Sequence, residues 1–182
     1  MDLAILEFVQ EHLRGPALDA VMLAATHLGD LAIVWFLAAA VLAAQPKRRV
    51  YGIAVTVAVL ATAALGMLVL KPLFGRVRPF EATGFMGLLI PPPGGSSFPS
   101  NHSMVSFAAA TAICCLPKGS RGVTAAKAGA VTVAALIAFS RVYLYVHYPT
   151  DILAGAAIGV ALGLASVWAV KGIGERLGRR KA

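Results

Sequence analysis

Apolar residues run along this chain in long blocks separated by short polar breaks, the pattern of a helical bundle whose solvent is lipid. The blocks predict helices over about 17–28, 31–44, 50–70, 100–116, 123–143 and 150–170. Gly15-Pro16, Gly29-Asp30, the run Gln45-Pro46-Lys47-Arg48-Arg49 and the turn Pro117-Lys118-Gly119-Ser120-Arg121 punctuate them. Residues 2–14 show a different pattern. Leu3, Leu6, Val9 and Leu13 share one side, and Glu7, Gln10, Glu11 and Arg14 the other, which predicts an amphipathic helix lying in the membrane interface. The N-terminus lacks a basic region followed by an apolar run and a small-residue cleavage site, so no signal peptide is expected. Between 71 and 99 stands one long polar connection whose three consecutive prolines exclude a spanning helix. A connection of that length in a compact domain usually has a function, and its apolar stretch Phe85–Ile90 is expected to dip into the interface. The pattern therefore predicts an all-α integral membrane protein. It is a single domain over 1–182, with an interfacial helix at 1–15, a six-transmembrane-helix core at 16–170 and a basic cytoplasmic tail at 171–182.

Composition agrees. The apolar fraction is 59% and only 13% of residues are charged, outside the range of soluble domains. The net charge of +8, from 16 basic and 8 acidic residues, would suggest nucleic acid in a soluble protein. Here membrane topology accounts for it, and no nucleic-acid partner is expected. Threading six helices puts Arg14, Lys47, Arg48, Arg49, Lys118, Arg121, Lys127, Lys171, Arg176, Arg179, Arg180 and Lys181 on one face, which the positive-inside rule makes cytoplasmic together with both termini. The protein is then a multi-pass component of the plasma or inner membrane. The four remaining cations, Lys71, Arg76, Arg78 and Arg141, all fall on the outer face. Cys114 and Cys115 are adjacent on an apolar helix, read as packing residues, with no bridge between them and no metal-site spacing.

Those four off-rule cations lie in or beside the polar stretches that matter chemically. Lys71–Pro79, Phe98–Ser103 and Ser140–Asp151 (SRVYLYVHYPTD) converge on the outer face, bringing two histidines, hydroxyls and an aspartate to the cations. Clustered cations repel unless an anion neutralises them, and the arginine fork matches a phosphate. Ser100 after Pro99 is a favoured helix N-cap, which leaves the amides of Asn101, His102 and Ser103 free to face an anion. Pro149 suits the first turn of the last helix, setting His147 and Asp151 four residues apart across its start. An imidazole held at one nitrogen by a carboxylate presents the other as a nucleophile or base. His102 is a second imidazole, available as a general acid. His27 reads as an interfacial or satisfied core histidine, and Glu81 as a structural partner for one of the arginines.

Lys71-x6-Arg78-Pro79, Pro99-Ser100-Asn101-His102 and Ser140-Arg141-x5-His147-x3-Asp151 together resemble the three-part signature of the type-2 phosphatidic acid phosphatase superfamily, over roughly residues 16–170. The resemblance implies that Lys71, Arg78 and Arg141 hold the phosphate oxygens, helped by Ser100, Asn101 and nearby amides. It implies that His147 attacks phosphorus to form a phosphohistidine, oriented by Asp151, and that His102 protonates the leaving group. Neither a metal nor another cofactor is implied. Asn101 stands where that signature usually has glycine, and asparagine tolerates unusual backbone angles. Arg76, outside the minimal motif, is read as a contact to a second phosphate or to a lipid headgroup.

The expected activity is hydrolysis of a lipid phosphate or pyrophosphate at the outer leaflet, with undecaprenyl pyrophosphate favoured by the short chain and by recycling of a cell-wall lipid carrier. Phosphatidylglycerol phosphate and phosphatidic acid are the alternatives. Transfer of the phosphoryl group to another lipid would use the same residues. A haloperoxidase suits the membrane span less well. An anion transporter would need charged residues deep in the inner helical halves, where the chain has none.

Overall fold

The computed structural model describes residues 1–179, and every regular element among them is helical. Helix α1 spans Asp2–His12, α2 Pro16–Gly29, α3 Ile33–Ala43, α4 Arg49–Ala64, α5 Lys71–Phe74, α6 Pro79–Thr83, α7 Asn101–Cys114, α8 Arg121–Tyr143 and α9 Pro149–Arg179. Between α4 and α5 the helix widens to i→i+5 bonding over Leu65–Leu70 and continues without a stop. The polar connection thus begins only at Gly75, whose φ of +55° ends the helix. Within it, Phe85, Leu88, Leu89 and Ile90 pack half-buried against a cluster that includes Leu6 and Tyr145, while Met86 between them is 95% exposed. The last helix runs past 170 through most of the expected tail, and Arg180 and Lys181 lie outside the described residues.

Four stretches among the described residues are long and apolar enough to cross a membrane: Pro16–Ala43, Arg49–Thr83, Arg121–Tyr143 and Pro149–Arg176. The protein is a multi-pass membrane protein, but the expected six crossings are not reached. The first two predicted helices are one descent. Along α8, Asp19 meets Tyr143, Thr26 meets Arg141, Gly29 lies against Ile137, and Val34, Trp35 and Ala38 line a small apolar cavity with Ala130 and Val133. Partners that descend in order mean that the chain bends at Gly29-Asp30 without reversing. The bend is made by Leu31 and Ala32, whose φ values of 51° and 57° are left-handed. Helix α7 supplies a further pass. It has 14 residues, about 21 Å of helix, and is enclosed by its neighbours, with Met104, Ala108, Ala109 and Ala112 at 0% exposure. The described chain makes five passes, so the start of α1 and the end of α9 lie at opposite ends of the bundle.

This corrects the expected position of the N-terminal helix. Helix α1 does not share an end with the 45–49 and 117–122 turns. It caps the other end, where Asp2 contacts Arg76 and Thr150, and Gln10 donates a 2.8 Å bond to the carbonyl of Tyr143. Leu6 and Val9 are buried against this end of the bundle while Leu3, Ile5 and Phe8 face outward. Half of the predicted apolar stripe therefore serves the protein, and not the lipid interface.

Helices α7 and α9 approach closely. Gly155, Gly159 and Gly163 form a stripe on α9, and a Cβ on Gly159 would stand 2.3 Å from the carbonyl oxygen of Met104. Small residues at this spacing let helix backbones meet in a membrane, and here they bring the start of α7 beside Asp151. Gly159→Ala is expected to force the helices apart at a cost of about 1–3 kcal/mol. It should lower the thermal midpoint in detergent, whereas Gly172→Ala, whose Cβ would meet nothing within 4 Å among the described residues, should leave it in place.

Candidate active site

One cavity of about 730 Å³ opens at the end of the bundle capped by α1, and Lys71, Arg78, Asn101, His102, Arg141 and His147 line it. The chain reaches this arrangement through helix ends. Lys71 begins α5, Arg78 precedes α6, His102 sits in the first turn of α7, Arg141 lies in the last turn of α8, and His147 and Asp151 flank the start of α9. All three expected segments are thus brought together.

His147 is 2% exposed. Its Nδ1 lies 3.4 Å from Asp151 Oδ2, and its Nε2 lies 3.3 Å from Arg78 Nη1. The imidazole is therefore held on its Asp151 side and presents Nε2 to the cations. Burial is the main cause that pushes its pKa below the ordinary histidine value; the Asp151 hydrogen bond opposes this, and Arg78 and Arg141 add to it. Tyr145, two residues earlier, has φ +61°, an uncommon conformation for a tyrosine, and stacks on Phe85 at 4.3 Å.

The cations are fixed by backbone carbonyls. Arg78 donates to Gly94, Gly95 and Val146 at 2.9–3.1 Å, and Lys71 donates to Ser96 at 2.5 Å. The long connection thus has an identifiable use: its 94–97 segment wraps the first cationic motif. Arg141 bonds the hydroxyl of Thr26, while its Nε is buried with no hydrogen-bond partner among the described residues. A buried unpaired guanidinium N–H is costly, and the Arg141 side chain also lines the cavity.

Ser100 caps α7 as expected, accepting from the Ser103 amide at 3.4 Å, but its side chain is fully buried and does not line the cavity. Asn101 needs no unusual backbone, because it is the first helical residue of α7 and has no positive φ. Room for it comes from Gly66, where a Cβ would lie 2.3 Å from Asn101 Oδ1. That oxygen is buried without a partner among the described residues. Glu81 lines the cavity and makes no ion pair among the described residues. Arg76 also reaches the site, but both of its terminal nitrogens are engaged: Nη1 with Asp151 and Thr150, Nη2 with Asp2.

Several polar residues here were not singled out from the sequence. Ser97 donates to Asp151 Oδ2 and lies 3.5 Å from His147 Nδ1, fully buried. Asp30 bridges two histidines, His102 Nε2 at 3.2 Å and His27 Nδ1 at 2.9 Å. For Ser97 the available signal was its place directly before Phe98-Pro99-Ser100. Asp30 had none beyond being a lone acid in an apolar block.

Residues 49–175 match the PAP2 superfamily. The chain is 32% identical over 135 residues to an undecaprenyl-diphosphatase of Sulfolobus acidocaldarius; this covers 74% of the chain and spans 62% of that relative's length. Its fold is similar to the crystal structure of LpxE from Aquifex aeolicus, with a TM-score of 0.77 and 27% identity, covering 91% of this chain and 94% of that one. It is also similar to a transmembrane PAP2-type phosphatidylglycerolphosphate phosphatase of Bacillus subtilis, with a TM-score of 0.73 and 29% identity, over 96% of this chain and 85% of that one.

Proposed function

This chain belongs to the PAP2 superfamily, and from that premise we propose that it is a lipid phosphatase that hydrolyses undecaprenyl pyrophosphate through a phosphohistidine. The observation that carries the reading is the position of His147: its Nδ1 side is on Asp151 while Nε2 faces Arg78, in a cavity shared with Lys71, Arg141 and His102. Nε2 attacks phosphorus as the bond to the leaving oxygen breaks. His102 gives that oxygen its proton, releasing undecaprenyl phosphate. Water then attacks the phosphohistidine, returning a proton to His102, and the P–N bond breaks to free inorganic phosphate. Charge on the transferred group is met by Lys71, Arg78 and Arg141, preorganised by the carbonyls and hydroxyl they already hold. These cations do the work of the divalent ions in other phosphoryl-transfer sites, so turnover is expected to survive chelators.

The site end of the bundle faces outward in this reading. Lys47, Arg48, Arg49, Lys118, Arg121 and Lys127 gather in and beside the turns at the opposite end, where Lys171 also lies over Tyr51, and the positive-inside rule makes that end cytoplasmic. The C-terminal end of α9 is then cytoplasmic and α1 is outside.

Similarity to the Sulfolobus undecaprenyl-diphosphatase supports the isoprenyl substrate, and similarity to the Bacillus phosphatidylglycerolphosphate phosphatase supports a diacyl one. Phosphate release by the purified chain from undecaprenyl pyrophosphate, phosphatidylglycerol phosphate and phosphatidic acid decides between them. The highest kcat/KM is expected on undecaprenyl pyrophosphate. A diacyl phosphate in first place would overturn the substrate, and no release from any lipid would overturn the phosphatase reading.

A further inference from the structure

Arg76 lines the cavity with Lys71, Arg78 and Arg141, but among the described residues it alone of the four is paired to carboxylates. Its Nη1 donates to Asp151 Oδ1 at 2.6 Å and to the Thr150 hydroxyl at 2.8 Å. Its Nη2 donates to Asp2 Oδ2 at 3.0 Å, and Thr150 donates to that same oxygen at 2.5 Å. The guanidinium lies over the Tyr148 ring, 3.9 Å from its centroid. Two carboxylates already neutralise the Arg76 charge, so a phosphate there would compete with both for it. Asp151, in turn, uses its other oxygen for the Ser97 hydroxyl, the Tyr148 amide and His147.

Resting on the phosphatase reading, we infer that Arg76 and Asp2 are positioning residues, a clasp through which helix α1 fixes Asp151 and hence His147, and that Arg76 is not a subsite for a second phosphate. The electrostatics give each member a task. Arg76 orients Asp151 through Oδ1, but an uncompensated guanidinium there would also drain the negative charge that Asp151 offers the imidazole as His147 becomes cationic on phosphorylation. Asp2 supplies the balancing charge. Although burial opposes it, the hydrogen bonds from Thr150 and Arg76 hold the Asp2 carboxyl below the usual range, so it is ionised at neutral pH. The clasp is built into the fold, since Leu6 and Val9 are buried beneath α1 and Gln10 is bonded to Tyr143. A helix with the periodicity of a peripheral membrane element thus supplies a charge that acts on the nucleophile.

The test uses the full chain in detergent with p-nitrophenyl phosphate and farnesyl pyrophosphate as probes, and the variants Asp2→Asn, Asp2→Glu, Arg76→Gln and Asp2→Asn/Arg76→Gln. Asp2→Asn is expected to lower kcat about ten-fold on both probes with KM little changed, as second-layer partners of a reacting group commonly do, and Asp2→Glu to restore part of the loss. Because Asp2 acts through Arg76, the double variant should lose no more than Arg76→Gln alone. An Arg76→Gln enzyme with raised KM for the pyrophosphate only and unchanged kcat would overturn the clasp in favour of a second-phosphate site, and an unchanged kcat in Asp2→Asn would also overturn it. Acylation of His147 by diethylpyrocarbonate, followed by mass spectrometry, reads the same clasp without turnover. Slower labelling of His147 in Asp2→Asn supports it and equal labelling overturns it, even if the wild-type chain hydrolyses neither probe and the phosphatase reading falls.

Discussion

Replacing His147 with alanine is expected to eliminate the phosphoenzyme and lower turnover by at least about 10⁴-fold, the scale on which enzymes respond to loss of a covalent nucleophile. The effect should exceed that of any other single change, because among the described residues no other imidazole is held by Asp151 with a nitrogen beside Arg78. Unfolding should not confound the result. Asp151 keeps Ser97, Arg76 and the Tyr148 amide when the imidazole is gone, so no buried carboxylate is stranded. Acid-labile phosphate should be trapped on the wild type by rapid quench with labelled substrate and be absent from His147→Ala; full activity in that variant would sink the mechanism. The pH dependence carries a sign. Burial depresses the His147 pKa below the ordinary value, so the neutral, nucleophilic form persists as pH falls through about 6.5. The limb of kcat that reports the nucleophile, measured with p-nitrophenyl phosphate, should therefore lie on the acid side of that value. A limb on the alkaline side would mean that Asp151 outweighs burial and the two cations.

The groups of the site that the sequence discloses all sit at helix ends, where proline, serine and glycine punctuate the apolar blocks. Lys71 to Pro79, Pro99 to His102 and Ser140 to Asp151 could be read because each places several polar residues at fixed spacing within one short stretch. Their partners could not. Ser97 meets Asp151 across 54 residues, Asp30 meets His102 across 72, Arg76 meets Asp2 across 74 and Thr26 meets Arg141 across 115. Ser97 is one of two adjacent serines in the polar connection, and Asp2, Thr26 and Asp30 lie in or beside apolar blocks, where polar residues of a membrane protein also occur as ordinary interfacial groups. The number of passes failed for a related reason. Hydropathy registers Gly29-Asp30 as a break, but a break becomes a reversal only if the backbone turns back, and the left-handed pair Leu31 and Ala32 bends the chain while α8 keeps it descending. That single difference moves α1 to the other end of the bundle, beside the site. The basic residues did not reveal the shift. Moving Arg14 alone leaves the turns at 45–49 and 117–122 as basic as before, so charge bias fits either count.

His102→Ala is expected to separate the acid from the nucleophile by their dependence on the leaving group. General acid catalysis contributes about 10²–10⁴-fold where the leaving oxygen needs a proton, and a lipid alkoxide needs one far more than p-nitrophenolate does. For a lipid monophosphate such as phosphatidic acid, kcat/KM should fall by about 10³-fold. For p-nitrophenyl phosphate it should fall by no more than about ten-fold, because the leaving group departs as a stable anion and the proton is dispensable. Undecaprenyl pyrophosphate, whose leaving group is a phosphate ester, should lie between the two. His102 lies in the first turn of a helix whose register is set by the Ser100 cap and by the α9 glycines, and neither involves the imidazole, so its removal should leave Arg78, Arg141 and His147 in place. Phosphoenzyme formed from p-nitrophenyl phosphate should then accumulate in His102→Ala, since the same imidazole takes the proton from the attacking water in the second step. Asp30 adds a finer test. It holds His102 at 3.2 Å and His27 at 2.9 Å, so Asp30→Asn should follow the leaving-group pattern of His102→Ala in weaker form. Equal losses on all three substrates in either variant would show that these residues shape the cavity instead of delivering the proton.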